Sequence, residues 1–144
     1  MKHYRAAGFC IGLLLAAPGA QADGIEPGLW RITTRQLMNG APTPPQVATR
    51  CLTPEQARDP GETFSPQFGG VNTDCERRDY QASGERVSWR LQCRGQFEMD
   101  VVGEFIFETA RHYTATITTK GSMAGQVVMN STSALDGEHI GECR

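Results

Sequence analysis

Three groups of side chains in this sequence have types and spacings that invite chemistry. The first is Glu98, Asp100, Glu104 and Glu108, carboxylates that share one side of the segment 96–108. General acid and base catalysis by paired carboxylates needs an enclosing cleft that drives their proton affinities apart. Alternate positions turned to solvent supply no such cleft, so this group reads as a solvated strand face. The second group is Met38, Met99, Met123 and Met129, with His112 and His139 as nitrogen donors. Soft thioether ligands suit Cu(I). Neither histidine stands at a recognisable ligand spacing, however, and Met99 and Met129 take inward parity, where methionine ordinarily fills space. No metal site and no cofactor are therefore expected.

The third group is aromatic: Trp30, Tyr80, Trp89, Phe97, Phe105, Phe107 and Tyr113. A curved sheet can enclose an apolar ligand, and Trp30 and Trp89 are the residues expected to line such a pocket. The competing use of these rings is the hydrophobic core. Thr114, Thr116 and Thr118 form a ladder that is ordinary on an exposed strand face. No Gly-x-Ser-x-Gly, His-Glu-x-x-His or phosphate loop occurs. No catalytic residue is assigned, and a non-enzymatic protein is expected.

Positioning these groups falls first to the cysteines. Residues 1–22 carry Lys2 and Arg5, an apolar run from Phe9 to Ala17 and the small-x-small site Ala20-Gln21-Ala22, the pattern of a cleavable bacterial-style signal peptide. That run is shorter than the roughly 20 apolar residues of a membrane span, so export to the periplasm is the expected destination. Cleavage leaves residues 23–144, the size of one domain, and removes Cys10. The remaining 12 basic against 16 acidic residues give a net charge of −4. A nucleic-acid partner would call for a clustered basic surface instead.

Four cysteines remain, Cys51, Cys75, Cys93 and Cys143, separated by 24, 18 and 50 positions. Zinc and redox sites favour close pairs such as Cys-x-x-Cys, so an exported chain with this spacing predicts two structural disulfides.

The elements follow from periodicity. Trp30 and Ile32 alternate with Arg31 and Thr33 in a first strand, Asn39-Gly40 turns the chain, and Gln46 to Cys51 returns. Thr53, Pro54 and Gln56 form the capping box of one short helix, which Asp59-Pro60-Gly61 stops. The stretch Gly61 to Asp74 reads as an irregular loop pinned by Phe64, Phe68 and Val71. A hairpin from Cys75 to Cys93 places Val87, Trp89 and Leu91 inward. The strand 96–108 faces Phe97, Met99, Val101, Gly103, Phe105 and Phe107 inward, with Trp89 opposite Val101. Tyr113 to Thr119 and Gln126 to Leu135 are further strands, the latter with Val127 and Met129 inward, and Asp136-Gly137 is a turn before a closing segment. The expected fold is mainly β: an antiparallel meander, curled or a partial barrel, with one short helix and two disulfides.

Within the hairpin, opposing Cys75 to Cys93 conflicts with burying Tyr80 and Ala82 beside Val87 and Trp89. The second register is favoured, which pairs Cys51 with Cys75 and Cys93 with Cys143. A bulge near Arg77 would restore Cys75–Cys93 and Cys51–Cys143.

Pro27-Gly28-Leu29-Trp30, Cys51-Leu52-Thr53, Cys75, Val87-Ser88-Trp89, Cys93 and Ile140-Gly141-Glu142-Cys143 together resemble a bacterial exported family catalogued as domain of unknown function 3617. The resemblance implies an exported, four-cysteine, sheet-rich protein and carries no active site. Relatives often have a Met- and Pro-rich loop after the first strand; here only Met38 lies beside it. The expected function is a non-enzymatic binding module for a small apolar ligand or an envelope protein. The alternative is an interaction module acting through a sheet edge or the 61–74 loop.

Overall fold

A computed structural model describes residues 24–66 and 74–144. The signal-peptide segment, Phe68 and Val71 lie outside the described residues. The chain forms β1 (Gly28–Met38), β2 (Ala41–Pro42), β3 (Gln46–Leu52), α1 (Pro54–Arg58), α2 (Pro60–Thr63), β4 (Asp74–Ala82), β5 (Arg86–Arg94), β6 (Phe97–Thr109), β7 (His112–Met123) and β8 (Gln126–Gly141). All strand pairings are antiparallel. From β4 to β8 the sheet is a simple meander, and β8 then pairs with β1, which carries β2 and β3 on its far side. The sheet stays open, with β2 and β3 at one edge and β4 at the other.

Local chemistry accounts for the connections. Asn39 and Gly40 both have positive φ, at 50° and 83°, as a tight two-residue hairpin turn requires. Thr53 caps α1 with the reciprocal bonds of a capping box, accepting from the Gln56 amide at 3.3 Å while its own amide donates to Gln56 Oε1 at 3.0 Å. Asp59 ends α1 but also caps α2, accepting from the Glu62 amide at 3.0 Å. The expected single helix is thus two short ones sharing a residue.

The inner face of the sheet holds the core. Trp30, Leu52, Ala57, Phe64, Val87, Trp89, Leu91, Phe105, Phe107 and Tyr113 are buried in one cluster. Phe64, just past α2, sits at its centre, with ring centroids 5.0–5.3 Å from Tyr113, Phe105 and Phe107. Burial pushes the Tyr113 phenol up to about 12, so it stays neutral among these rings.

Three expectations about register are corrected. First, β5 and β6 pair with Trp89 opposite Gly103 and Leu91 opposite Val101, two residues from the predicted alignment. Parity is kept, so the same faces are buried, but the indole now lies over a glycine. A Cβ at Gly103 would overlap the Trp89 six-membered ring, and the bare backbone there is what admits it. Second, Asp136-Gly137 is not a turn. β8 runs unbroken through it, and Gly137 is opposite Tyr113, whose ring occupies the space a Cβ would take. Glycine here serves close packing, which sequence alone does not separate from a turn.

Third, the favoured disulfide pairing is overturned: Cys75 bonds Cys93, and Cys51 bonds Cys143, with Cα separations of 4.0 and 5.6 Å. The hairpin accommodates both competing registers. Cys75 opposes Cys93 and Arg78 opposes Arg90, while Gln81 opposes Ser88 and Ala82 opposes Val87. A bulge at Asp79 and Tyr80, facing Trp89, absorbs the extra residue, and Asp79 takes a φ of 51°. Tyr80 and Ala82 are exposed rather than buried. Tyr80 instead reaches over Gly61 of α2, and Arg77 stacks on its ring at 4.2 Å while pairing with Glu62 at 3.1 Å. These contacts fasten the helices to β4.

Candidate binding surface

Trp30 and Trp89, the expected lining of an apolar pocket, stand on opposite sides of the core cluster and are packed on by side chains. Trp30 is 1% exposed, lies 5.5 Å from Tyr113 and 5.7 Å edge-on from His139, and donates its indole N–H to the Glu26 carbonyl at 3.0 Å. His139 Nε2 donates to the Pro27 carbonyl at 3.1 Å, leaving Nδ1 to accept from Arg111 at 3.2 Å. Gly28 meets His139 and the Gly141 carbonyl where a Cβ would stand. The motif Pro27-Gly28-Leu29-Trp30 therefore locks the leading segment onto the end of β8. Trp89 donates its N–H to the Phe64 carbonyl at 2.9 Å, joining β5 to the segment after α2.

The carboxylates of β6 lie on the outer face, where two of them are held by cross-strand arginines and Glu108 by a cross-strand histidine. Asp100 takes a bidentate bond from Arg90 at 2.8 and 2.5 Å, and Glu104 pairs with Arg86 at 2.8 Å. The Arg90 guanidinium holds the Asp100 carboxyl below its ordinary range. Glu108 and Asp136 flank His112, at 2.8 Å from Nδ1 and 3.1 Å from Nε2. Asp136 first, then Glu108, raises the imidazole pKa. These are pairs of a solvated sheet face. At the far end of that face Gln92, Arg94, Glu98, Asp100, Lys120, Ser122 and Val127 border an open cleft of about 300 Å³, which Cys93 and Met99 also line.

The inner face is divided. Its first half lies under α1, α2 and Phe64. Beyond Trp89 and Gly103, the register places a second apolar group on the same face. Met99 of β6 and Met129 of β8 are both opposite Gly121 of β7, Met123 is opposite Phe97, and Met38 of β1 is opposite Ser131. The Phe97 ring lies over Gly121 where a Cβ would collide with it, and Met129 Cβ borders the same gap. Phe97, Met38, Met99 and Met129 are half-buried, and Met123 is 53% exposed.

A bulge between Gly121 and Ser122 shifts the β7–β8 register at this end. It turns Val127 to the outer side, where it is 65% exposed, against the expected inward position. Alternation over β6 and β7 marked Phe97 and Met99 as inward. It could not show that the helices stop short of them, nor that Gly121 opens the row.

The fold and surface define a disulfide-bonded protein built on one open antiparallel sheet, with an inner face covered at one end and lined by methionine and phenylalanine at the other. Disulfides are the mark of an oxidising compartment, and among the described residues no helix is long and apolar enough to cross a membrane. A family model described as protein of unknown function, DUF3617, matches residues 25–143, and the chain belongs to that family. Comparisons with curated proteins and with solved structures give no match.

Proposed function

We propose that the protein is an exported, periplasmic, non-enzymatic binding module that receives a small apolar ligand, or the apolar part of an envelope component, on the inner face around Phe97, Met99, Met123 and Met129. The observation that carries this reading is the partial exposure of four apolar side chains on the face that elsewhere forms the core. Methionine suits such a surface because its unbranched, polarizable side chain adapts to differently shaped partners. Exposed apolar surface of this kind marks ligand or partner sites.

The test is a thermal-shift screen of apolar ligands and envelope lipids on the oxidised protein, alongside Met123→Glu. At a half-exposed position that substitution leaves the core intact and charges the surface. A ligand that stabilises the wild type and not the variant supports the reading; equal stabilisation of both refutes it.

A second reading, protein interaction through a sheet edge, is favoured by β3. Its Val47 is 64% exposed and Arg50 is its only charged residue, whereas β4 is blunted by charge and a bulge, the usual protections of an edge. Pull-down from a periplasmic extract by the wild type but not by Val47→Lys would support this alternative.

A further inference from the structure

The chain contains five methionines, and apart from Met1 all of them, Met38, Met99, Met123 and Met129, fall on the far half of the inner face. None is among the fully buried core residues, which are isoleucine, leucine, valine, alanine, cysteine and aromatic rings, although Met99 packs against them. Space filling therefore accounts for Met99 only in part: the tightly packed core uses other residues, and the methionines fall on the part of the face left partly open.

The register brings the four side chains into sequence across the sheet. Met129 on β8 is opposite Gly121, two residues along β7 from Met123, with the bulge between them setting Met123 itself opposite Gln126; Met123 is also opposite Phe97, so it is the diagonal neighbour of Met99 on β6. On the other side Met38 is opposite Ser131, which makes it diagonal to Met129. Diagonal positions on one face lie about 7–8 Å apart, within reach of long side chains. Gly121 offers no side chain in the middle of this group, and the Phe97 ring covers it instead.

Thioether sulfur is a soft, neutral donor. It binds the cuprous ion in preference to hard cations, and an adjacent aromatic face attracts a cation. Stronger donors do not compete nearby. The four cysteines of the described residues are consumed in disulfides, and among those residues no cluster of His, Cys, Asp and Glu could hold a metal ion.

We propose that Met99, Met123 and Met129, with Met38 beside them and Phe97 beneath, form a thioether site for a soft monovalent cation, with Cu(I) as the occupant that chemistry selects. The site uses the same surface as the proposed apolar ligand but does not depend on that reading. Coordination needs the sulfur atoms, whereas apolar binding needs only the area.

Methionine-to-leucine substitution separates the two, since it keeps the apolar volume and removes the donor. The probe is Ag(I), a redox-inert analogue of Cu(I), titrated in chloride-free buffer into the oxidised full chain carrying Cys10→Ser, so that no thiol competes. Binding is read by calorimetry and by NMR of methyl-labelled methionine. The expected result is one tightly bound Ag(I) per chain, with the ε-methyl resonances of Met99, Met123 and Met129 moving together. In the triple variant Met99→Leu, Met123→Leu, Met129→Leu, affinity should fall by at least about tenfold, while any apolar-ligand binding persists. Absence of binding, methyl resonances that stay fixed as Ag(I) is added, or unchanged affinity in a folded triple variant would each overturn the site. Should the triple variant not fold, the methyl shifts of the protein with its methionines intact decide the question.

Discussion

Gly103→Ala tests how the core is assembled, because one methyl group there opposes the largest side chain on β5. In the wild type the Trp89 ring occupies the place of the missing Cβ. Trp89 is 5% exposed, and its N–H is held by the Phe64 carbonyl at 2.9 Å. The ring cannot swing aside without breaking that bond, and it cannot stay without overlapping the new methyl. Overpacking of this kind costs about 1–3 kcal/mol. Losing a buried hydrogen bond adds about 1–3 kcal/mol, and the strand preference for alanine over glycine returns about 0.5–1 kcal/mol. The net expected destabilisation is about 1–5.5 kcal/mol, or a fall in Tm of about 4–22 °C for a domain of this size. Thermal unfolding followed by near-UV circular dichroism and tryptophan fluorescence measures it. Adding Trp89→Phe to Gly103→Ala should cost less than the sum of the two single changes, since the smaller ring no longer meets the methyl. A Gly103→Ala protein as stable as wild type, or strict additivity in the double variant, would refute the packing argument and with it the assigned β5–β6 register.

The two disulfides close loops of very different length, spanning 92 and 18 positions. On loop entropy, replacing Cys51 and Cys143 by serine should cost about 4–5 kcal/mol against about 3 kcal/mol for Cys75 and Cys93, as read by urea unfolding. Non-reducing peptide mapping should yield a Cys75–Cys93 fragment and no Cys51–Cys75 fragment. His112 has its pKa raised by Asp136 and Glu108, so its stabilising contribution is complete below the ordinary histidine value of about 6.5 and is lost as pH climbs through the higher folded value. An NMR titration should place its midpoint above that ordinary value, and Asp136→Asn should bring the midpoint down. The stability difference between wild type and His112→Gln should likewise shrink from mildly acid to alkaline pH.

Much of this architecture was legible in the residues. Alternation assigned inward faces correctly for Trp30, Val87, Trp89, Leu91, Phe105, Phe107 and Tyr113, and capping chemistry located α1 from Thr53, Pro54 and Gln56. What escaped depended on glycines and bulges. Gly137 reads as a turn and Gly103 as a featureless member of its strand, yet each is opposite a large ring that needs the space. The bulge at Asp79 and Tyr80 lets one hairpin hold both registers, so parity alone pointed to the wrong cysteine partners. For the candidate surface, the sequence placed Met99 and Met129 inward and took inward to mean filled. How far the helices extend over the sheet is a tertiary fact, and it separates the buried rings from the partly open methionines.

Chemical-shift mapping locates binding on the far half of the inner face residue by residue. The oxidised, isotope-labelled protein would be titrated with the apolar ligand that gives the largest thermal stabilisation. Perturbations should concentrate on Phe97, Met99, Gly121, Met123 and Met129. Perturbations confined to β3 around Val47, or to the outer-face cleft around Lys120, would contradict it.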